Sequence, residues 1–258
     1  MTTLPKSLAS DHLVKKQFGA QANEYLTSAV HAGGTDLARL RDLLAVHGTG
    51  TVLDLGCGAG HCTYAAAAVA ERVIALDLTE EMLAVVASEA AGRGHTNVET
   101  VQGDVMALPF ADASADLVVS RFSAHHWPQL GVPLSEVHRV LGPGKRAIFI
   151  DVVAPPAPVA DTWLQALELL RDPSHVRDYS VAEWHRLATE AGFGVEHTET
   201  LPLRLEFTSW VARMAVPEHF VSALRALHAV APTEVQEALA FEADGTMSVP
   251  VAVMVFTT

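Results

Sequence analysis

The chain has 258 residues, 50% of them apolar, with 17 Lys and Arg against 30 Asp and Glu and a formal charge of −13. That length suffices for one well-buried α/β domain with additions, and an acidic balance without any basic cluster excludes the phosphate-neutralising face of a nucleic-acid binder. No stretch approaches the ~20 consecutive apolar residues of a membrane span, and the opening MTTLPKSLASDHLVKK lacks the apolar core of a signal peptide, so the sequence predicts a cytoplasmic protein with a small-molecule partner and no membrane contact.

Residues 1–45 read as helical. In KQFGAQANEYLTS, Phe18, Ala22, Tyr25 and Leu26 recur at helical spacing, so one face packs on the core or covers a ligand. Thr51 to Thr63, TVLDLGCGAGHCT, then reads as a buried strand, a glycine turn and a helix starting near His61. Gly56, Gly58 and Gly60 let the backbone turn sharply and approach a ligand, and the first N–H groups of the helix favour an anionic group. A dinucleotide site wants G-x-G-x-x-G. Here the spacing is G-x-G-x-G behind Asp54, an acid that is awkward beside a pyrophosphate but suits a ligand carrying an amine. The two cysteines, Cys57 and Cys62, lie in this same stretch, too few and too local for a disulfide framework or a metal cage.

Arg72 to Leu78 reads as a second strand that ends in Asp77, where a carboxylate at the strand tip accepts both hydroxyls of a ribose. Thr79 is the predicted cap of the next helix, with Glu80 and Glu81 in its first turn. A third strand over Asn97 to Val101 leads to Gly103 and Asp104, and a fourth over Ala115 to Ser120 leads to Arg121–Trp127, RFSAHHW. In an open parallel sheet the ligand crevice lies outside these strand ends. His125 and His126 are therefore the candidate general bases, with a histidine bonded to backbone as the competing reading of either. Arg121 either positions a ligand through its carbonyl or pairs with an acidic neighbour.

A helix over Leu134 to Leu141 is predicted to close at Gly142-Pro143-Gly144, and Arg146 to Val153 to form a fifth strand. Pro155, Pro156 and Pro158 interrupt the sheet. The stripe Val159, Trp163, Leu164, Leu167, Leu170 is a helix face that is either core or a roof over a substrate pocket. Ser180 to Glu183 is a capping box opening a helix that ends at Gly192. Val195–Leu201 and Val249–Phe256 read as two last strands, an antiparallel hairpin-like pair, with helices near 210–216, 219–230 and 233–241 between them.

Several of these stretches carry a resemblance. VLDLGCGAG resembles motif I of the class I S-adenosylmethionine-dependent methyltransferases, hydrophobic-Asp-hydrophobic-Gly-x-Gly-x-Gly, and QGDVMALPF resembles that family's acidic adenine-binding loop. FGAQANEYL and HRVLGPGKRAIFID are similar to segments of the ubiquinone/menaquinone-biosynthesis type (type 11 domain) of small-molecule methyltransferase. The resemblance implies a single α/β domain over 1–258 built on a doubly wound, seven-stranded Rossmann-like sheet. Residues 1–45 would form a helical lid, 46–155 the cofactor-binding core, and 156–258 insertion helices and the last strands. It implies S-adenosyl-L-methionine as cofactor, with Asp54, Gly56, Cys57, Gly58 and Gly60 at its amino-acid end and Asp77 and Leu78 at the ribose. Met82, Gly103, Asp104 and Val105 would take the adenine, the Asp104 carboxylate its exocyclic amine and the next N–H a ring nitrogen. Arg121 and Tyr25 would complete the site, and His126 or His125 would take any proton that must leave.

The loop after the fourth strand lacks the Asp/Asn-Pro-Pro-aromatic motif of enzymes that methylate nucleic-acid bases. It also lacks the acidic cluster that magnesium-dependent O-methyltransferases present, so metal-independent chemistry is expected. Phe18, Tyr25, Phe122, Trp127 and Trp163 suggest a hydrophobic acceptor, with ordinary core as the competing reading of each. Because such motifs report binding and not chemistry, a cofactor-binding protein without methyl transfer is the alternative. The oligomeric state is not legible.

Overall fold

The computed structural model describes residue 13 and residues 33–258, so Phe18, Tyr25 and most of the lid expected over 1–45 lie outside the described residues, while its last part, from residue 35, belongs to a helix whose Leu37, Leu40 and Leu44 pack in the core. A seven-stranded sheet forms the centre, in the order β3-β2-β1-β4-β5-β7-β6. Its strands are β1 (Thr51–Leu55), β2 (Arg72–Asp77), β3 (Val98–Gln102), β4 (Ala115–Arg121), β5 (Leu141–Val152), β6 (Gly194–Leu205) and β7 (Met247–Thr257). The first five run parallel, while β7 lies between β5 and β6 and is antiparallel to both. β1 pairs with β2 on one side and β4 on the other. The strand order reverses there, and ligand crevices of doubly wound sheets open at such a switch point.

The period-2 alternation of the strands divides the core into two layers. Val52, Val119 and Ile148 face helix α1 (Thr35–His47) and helix α5 (Pro158–Arg171), with Leu37, Leu40, Leu164 and Leu167 packed on them. Leu53, Val118 and Phe149 face the opposite way, onto Leu134 and Val137 of α4 (Gly131–Val140) and Trp184 of α6 (Val181–Glu190). The remaining helices are α2 (His61–Ala67), α3 (Glu80–Gly92), α7 (Phe207–Ala212), α8 (Glu218–Val230) and α9 (Thr233–Ala238). None among the described residues is long and apolar enough to cross a membrane.

Several boundaries differ from the sequence expectation for identifiable reasons. β5 starts at Leu141 instead of Arg146: its register jumps from Leu141 opposite Ala115 to Arg146 opposite Leu117, so Gly142 to Lys145 bulge outward. Thr258 holds that bulge, its hydroxyl donating to the Gly142 carbonyl at 2.8 Å. β6 runs on past Leu201 to Leu205, through Pro202 opposite Pro250. Pairing between β7 and β5 stops at Val251, so the missing N–H of Pro250 falls beyond the β5 ladder. β6 and β7 pair as expected but are no hairpin, since α7, α8 and α9 intervene.

Capping also divides. Ser180 and Glu183 form the expected box, with Ser180 N–H donating to the Glu183 carboxylate at 2.8 Å and Glu183 N–H to Ser180 Oγ at 3.3 Å. Thr79 occupies the N-cap of α3 but makes no capping bond with its side chain. Its hydroxyl turns back to Asp77 instead.

Candidate active site

A cleft opens at the C-terminal ends of β1, β2 and β4. The glycine turn after β1 forms its floor. Gly56 has φ +65°, and a Cβ there would come within 1.9 Å of Ser123 Oγ, from the loop after β4. Gly60 has φ +87°, and its Cβ would strike the Tyr64 ring at 2.6 Å. Both positions need glycine for conformation and for close approach. The turn is fastened to β2, with Gly56 and Cys57 N–H donating to the Leu76 carbonyl at 2.9 and 3.0 Å. Cys57 and Cys62 line the cleft as free thiols. Burial, then the Asp77 and Asp54 carboxylates, push the Cys57 thiol well above its ordinary range, and burial followed by Asp54 does the same to Cys62.

Asp77, at the tip of β2, lines the same cleft. Its carboxylate accepts the Gly58 N–H at 2.9 Å through one oxygen, and through the other the Thr79 N–H at 2.9 Å and the Thr79 hydroxyl. Leu78, Met82, Gly103, Asp104 and Val105 follow along one wall. Met82, in the first turn of α3, is 1% exposed, and one Asp104 oxygen accepts the Met106 N–H at 2.8 Å.

Asp54 is placed differently. It points from β1 toward α2, outside the cleft lining, 1% exposed, and accepts the Thr63 hydroxyl at 2.6 Å. Burial raises its pKa to about 7 against the lowering effect of that hydrogen bond. Asp54 therefore braces the glycine turn from behind in this structure.

The loop after β4 forms the facing wall. Arg121 is buried and ion-paired with Asp36 of α1, its guanidinium 4.6 Å over the Phe122 ring. Phe122 holds a left-handed φ of +52°, strain of the kind that concentrates near functional sites. Phe122, Ser123, Trp127 and Pro128 all line the cleft, and Trp127 Nε1–H donates to Ser123 Oγ at 3.1 Å. Trp163 does not line the cleft: it packs with the helices on the α1 side of the sheet, among which α5 is core.

The two histidines diverge on a 3₁₀ turn, Ala124–His126. His125 turns away from the cleft, its Nδ1 2.6 Å from Asp151 Oδ1 of β5. The other Asp151 oxygen accepts the Ala124 N–H at 2.8 Å, so one carboxylate fixes both ring and turn. Burial pulls the His125 pKa down, but the Asp151 charge and hydrogen bond outweigh it and leave it at about 9. His126 lines the cleft. Burial and the adjacent His125 charge lower its pKa to about 4, so at neutral pH it is the uncharged member of the pair.

The sequence therefore brought Gly56, Cys57, Gly58, Asp77, Leu78, Met82, Gly103, Asp104, Val105, Arg121 and His126 to one cleft. Gly60 supports it from the N-cap of α2, Asp54 and His125 stand behind it, and Tyr25 lies outside the described residues. Ser123, Asp36 and Asp151 were missed. Only Ser123 carried a signal, its place within the loop already suspected.

A family model described as a methyltransferase domain matches residues 53–149. The chain is 48% identical over 190 residues to the uncharacterized protein YafE of Escherichia coli, covering 74% of this chain and 92% of YafE. It is 34% identical over 200 residues to the uncharacterized methyltransferase YcgJ of Bacillus subtilis, covering 78% of this chain and 79% of YcgJ. The crystal structure of YcgJ aligns with a TM-score of 0.83 over 86% of this chain and 97% of that one, at 28% identity. A demethylmenaquinone methyltransferase of Lactococcus lactis is 33% identical over 136 residues, 52% of this chain and 51% of its own.

Proposed function

The chain belongs to the S-adenosylmethionine-dependent methyltransferase family, and from that premise we propose that it binds S-adenosylmethionine and transfers its methyl group to a small, largely apolar organic acceptor held beside His126. The observation that carries this reading is placement: Gly56, Asp77, Asp104 and His126, from four separate loops, line one cleft. The residues suit the cofactor. Gly58, at φ +50° in the turn, lines the cleft, and a Cβ there would stand in the open space a ligand needs. Asp77 already accepts the Gly58 N–H and the Thr79 hydroxyl, the latter the kind of donor a ribose diol presents, and Asp104 is steadied by the Met106 N–H.

Bound there, S-adenosylmethionine would supply a methyl group already activated by its cationic sulfur, so the reading calls for no metal ion. Asp77 and Leu78 would hold the ribose, Met82, Asp104 and Val105 the adenine, and the glycine turn with Arg121 the amino-acid end. Asp54 would act on that end through the turn it braces. The remaining task is alignment and exclusion of water, which in favourable cases is worth up to ~7–11 kcal/mol. Phe122, Trp127 and Pro128 give the acceptor an apolar wall. His126, neutral at pH 7, is the group able to take a proton from the acceptor.

Calorimetric titration with S-adenosylmethionine tests the first half of this reading, and incubation of methyl-labelled cofactor with a metabolite extract tests the second. Binding together with release of S-adenosylhomocysteine and a labelled small product is the expected result. Binding without any labelled product would leave only a cofactor-binding protein, and absence of binding would overturn the reading entirely.

A further inference from the structure

The segment joining α5 to α6 behaves unlike an ordinary surface loop. Loops run over the surface because buried polar groups are costly unless paired. Here Asp172, Ser174, His175 and Asp178 are all buried. His175 and Asp178 pair with Gln165 of α5, whereas the hydrogen bonds of Asp172 and Ser174 lead to the histidine pair. Val176 and Arg177 N–H donate to the His125 carbonyl at 2.8 and 3.1 Å, clasping the 3₁₀ turn.

Asp172 Oδ1 accepts both the Ser174 N–H, at 2.9 Å, and the Ser174 hydroxyl, at 2.6 Å. The Ser174 carbonyl lies 3.1 Å from His126 Nδ1, and the Ser174 Oγ 3.2 Å from it. A carbonyl can only accept, and the hydroxyl hydrogen is already given to Asp172. Nδ1 must therefore carry the proton, which in a neutral ring makes Nε2 the basic atom. Asp172 Oδ2 stands 4.0 Å from that Nε2, beyond hydrogen-bond range of a neutral ring but close to any charge the ring acquires.

We propose that Asp172 and Ser174 are positioning residues for His126: the Ser174 carbonyl fixes the tautomer that leaves Nε2 basic, and Asp172 braces that carbonyl and compensates the charge formed when Nε2 takes the acceptor's proton. This rests on the reading of His126 as the base. The step balances. The acceptor's X–H bond breaks with its proton going to Nε2, its electron pair bonds to the methyl carbon, and the C–S pair leaves with sulfur. Positive charge thus passes from the sulfonium to the imidazolium beside Asp172, and the proton later returns to solvent.

The test is a long-range ¹H–¹⁵N histidine spectrum of the whole protein across pH, with His126 assigned through His126→Gln, in the wild type and in Asp172→Asn. Asparagine can still accept both Ser174 bonds, so the loop is retained while the charge is lost. Among the described residues, the titratable groups facing His126 include His125 from its own turn, Asp151 from β5, and Asp172 and His175 from the loop. The wild type should show His126 as the Nδ1–H tautomer, and D172N should keep that tautomer while its protonation constant falls about tenfold or more. An Nε2–H tautomer in the wild type overturns the proposal without any variant, as does a D172N protein whose His126 titration is unmoved. Cofactor titration of the wild type is read separately. If it fails, the reading of function falls, whatever the tautomer.

Discussion

Replacing Asp151 by asparagine should remove one limb of the stability–pH curve. His125 titrates near 9 in the folded protein against an ordinary 6.5, because the Asp151 charge and hydrogen bond outweigh its burial. The folded state therefore keeps a proton that the unfolded chain releases first. The stability this contributes is fully present below pH 6.5 and is lost as pH rises through about 9. That interval, at about 1.4 kcal/mol per pH unit, amounts to ~3 kcal/mol. Asp54, raised to about 7, contributes in the same direction at lower pH, but it is unchanged in the variant and cancels from the difference. D151N also weakens the Ala124 anchor, so its stability should be lower throughout. Only the slope is diagnostic. Urea unfolding of both proteins at intervals from pH 6 to 9.5 should show the wild type losing ~3 kcal/mol relative to the variant. Two parallel curves would refute the assignment of the His125 charge to Asp151.

Three substitutions probe the rest of the site. Gly56→Ala places a Cβ 1.9 Å from Ser123 Oγ at φ +65°. It should cost ~2–4 kcal/mol in denaturant unfolding, and adding Ser123→Gly should return the steric part but not the backbone part. Asp77→Ala should weaken S-adenosylmethionine binding by ~1–3 kcal/mol in calorimetry, as expected for losing hydrogen bonds to a charged acceptor; unchanged affinity would remove Asp77 from the ribose. Asp36→Ala deletes a buried carboxylate ion-paired with Arg121 and should destabilise by up to ~3–5 kcal/mol. Asp36→Leu with Arg121→Met should be much nearer wild type in the same urea assay.

What the sequence disclosed and what it hid separate along one physical line. The strand tips were visible because their signal is local: a strand-like run and then a turn residue, followed after β1 and β2 by the start of a helix. The order of those tips, with Gly56, Asp77, Asp104 and His126 after successive strands, placed four walls of the cleft. Partners supplied by tertiary packing gave no such signal. Asp36 meets Arg121 from 85 residues away, Asp151 meets His125 from 26, and Ser174 meets His126 from 48. The position of Asp54 was partly recoverable. Strand residues alternate between faces, so Asp54 shares the face of Val52 and points to Thr63 on α2, away from the layer that takes Leu53 and Leu55. The C-terminal end of β6 stayed hidden because proline normally stops a strand, and only its register against Pro250 shows why Pro202 does not.

Adjacent histidines in a loop would ordinarily compete for one role, and the fold gives them opposite ones. On the 3₁₀ turn consecutive side chains project about 120° apart, so His125 reaches β5 while His126 reaches the cleft and the α5–α6 loop. Their ring centres are 4.2 Å apart. A proton held on His125 by Asp151 is therefore also a positive charge beside His126, which with burial keeps the second ring neutral and able to accept a proton at pH 7. Anchoring and base strength are thus tied to one carboxylate, and the two effects oppose each other. In D151N the His126 pKa should rise from about 4 toward 6.5 even as the turn loosens, a direction that simple loss of packing does not produce and that the same histidine spectra would record.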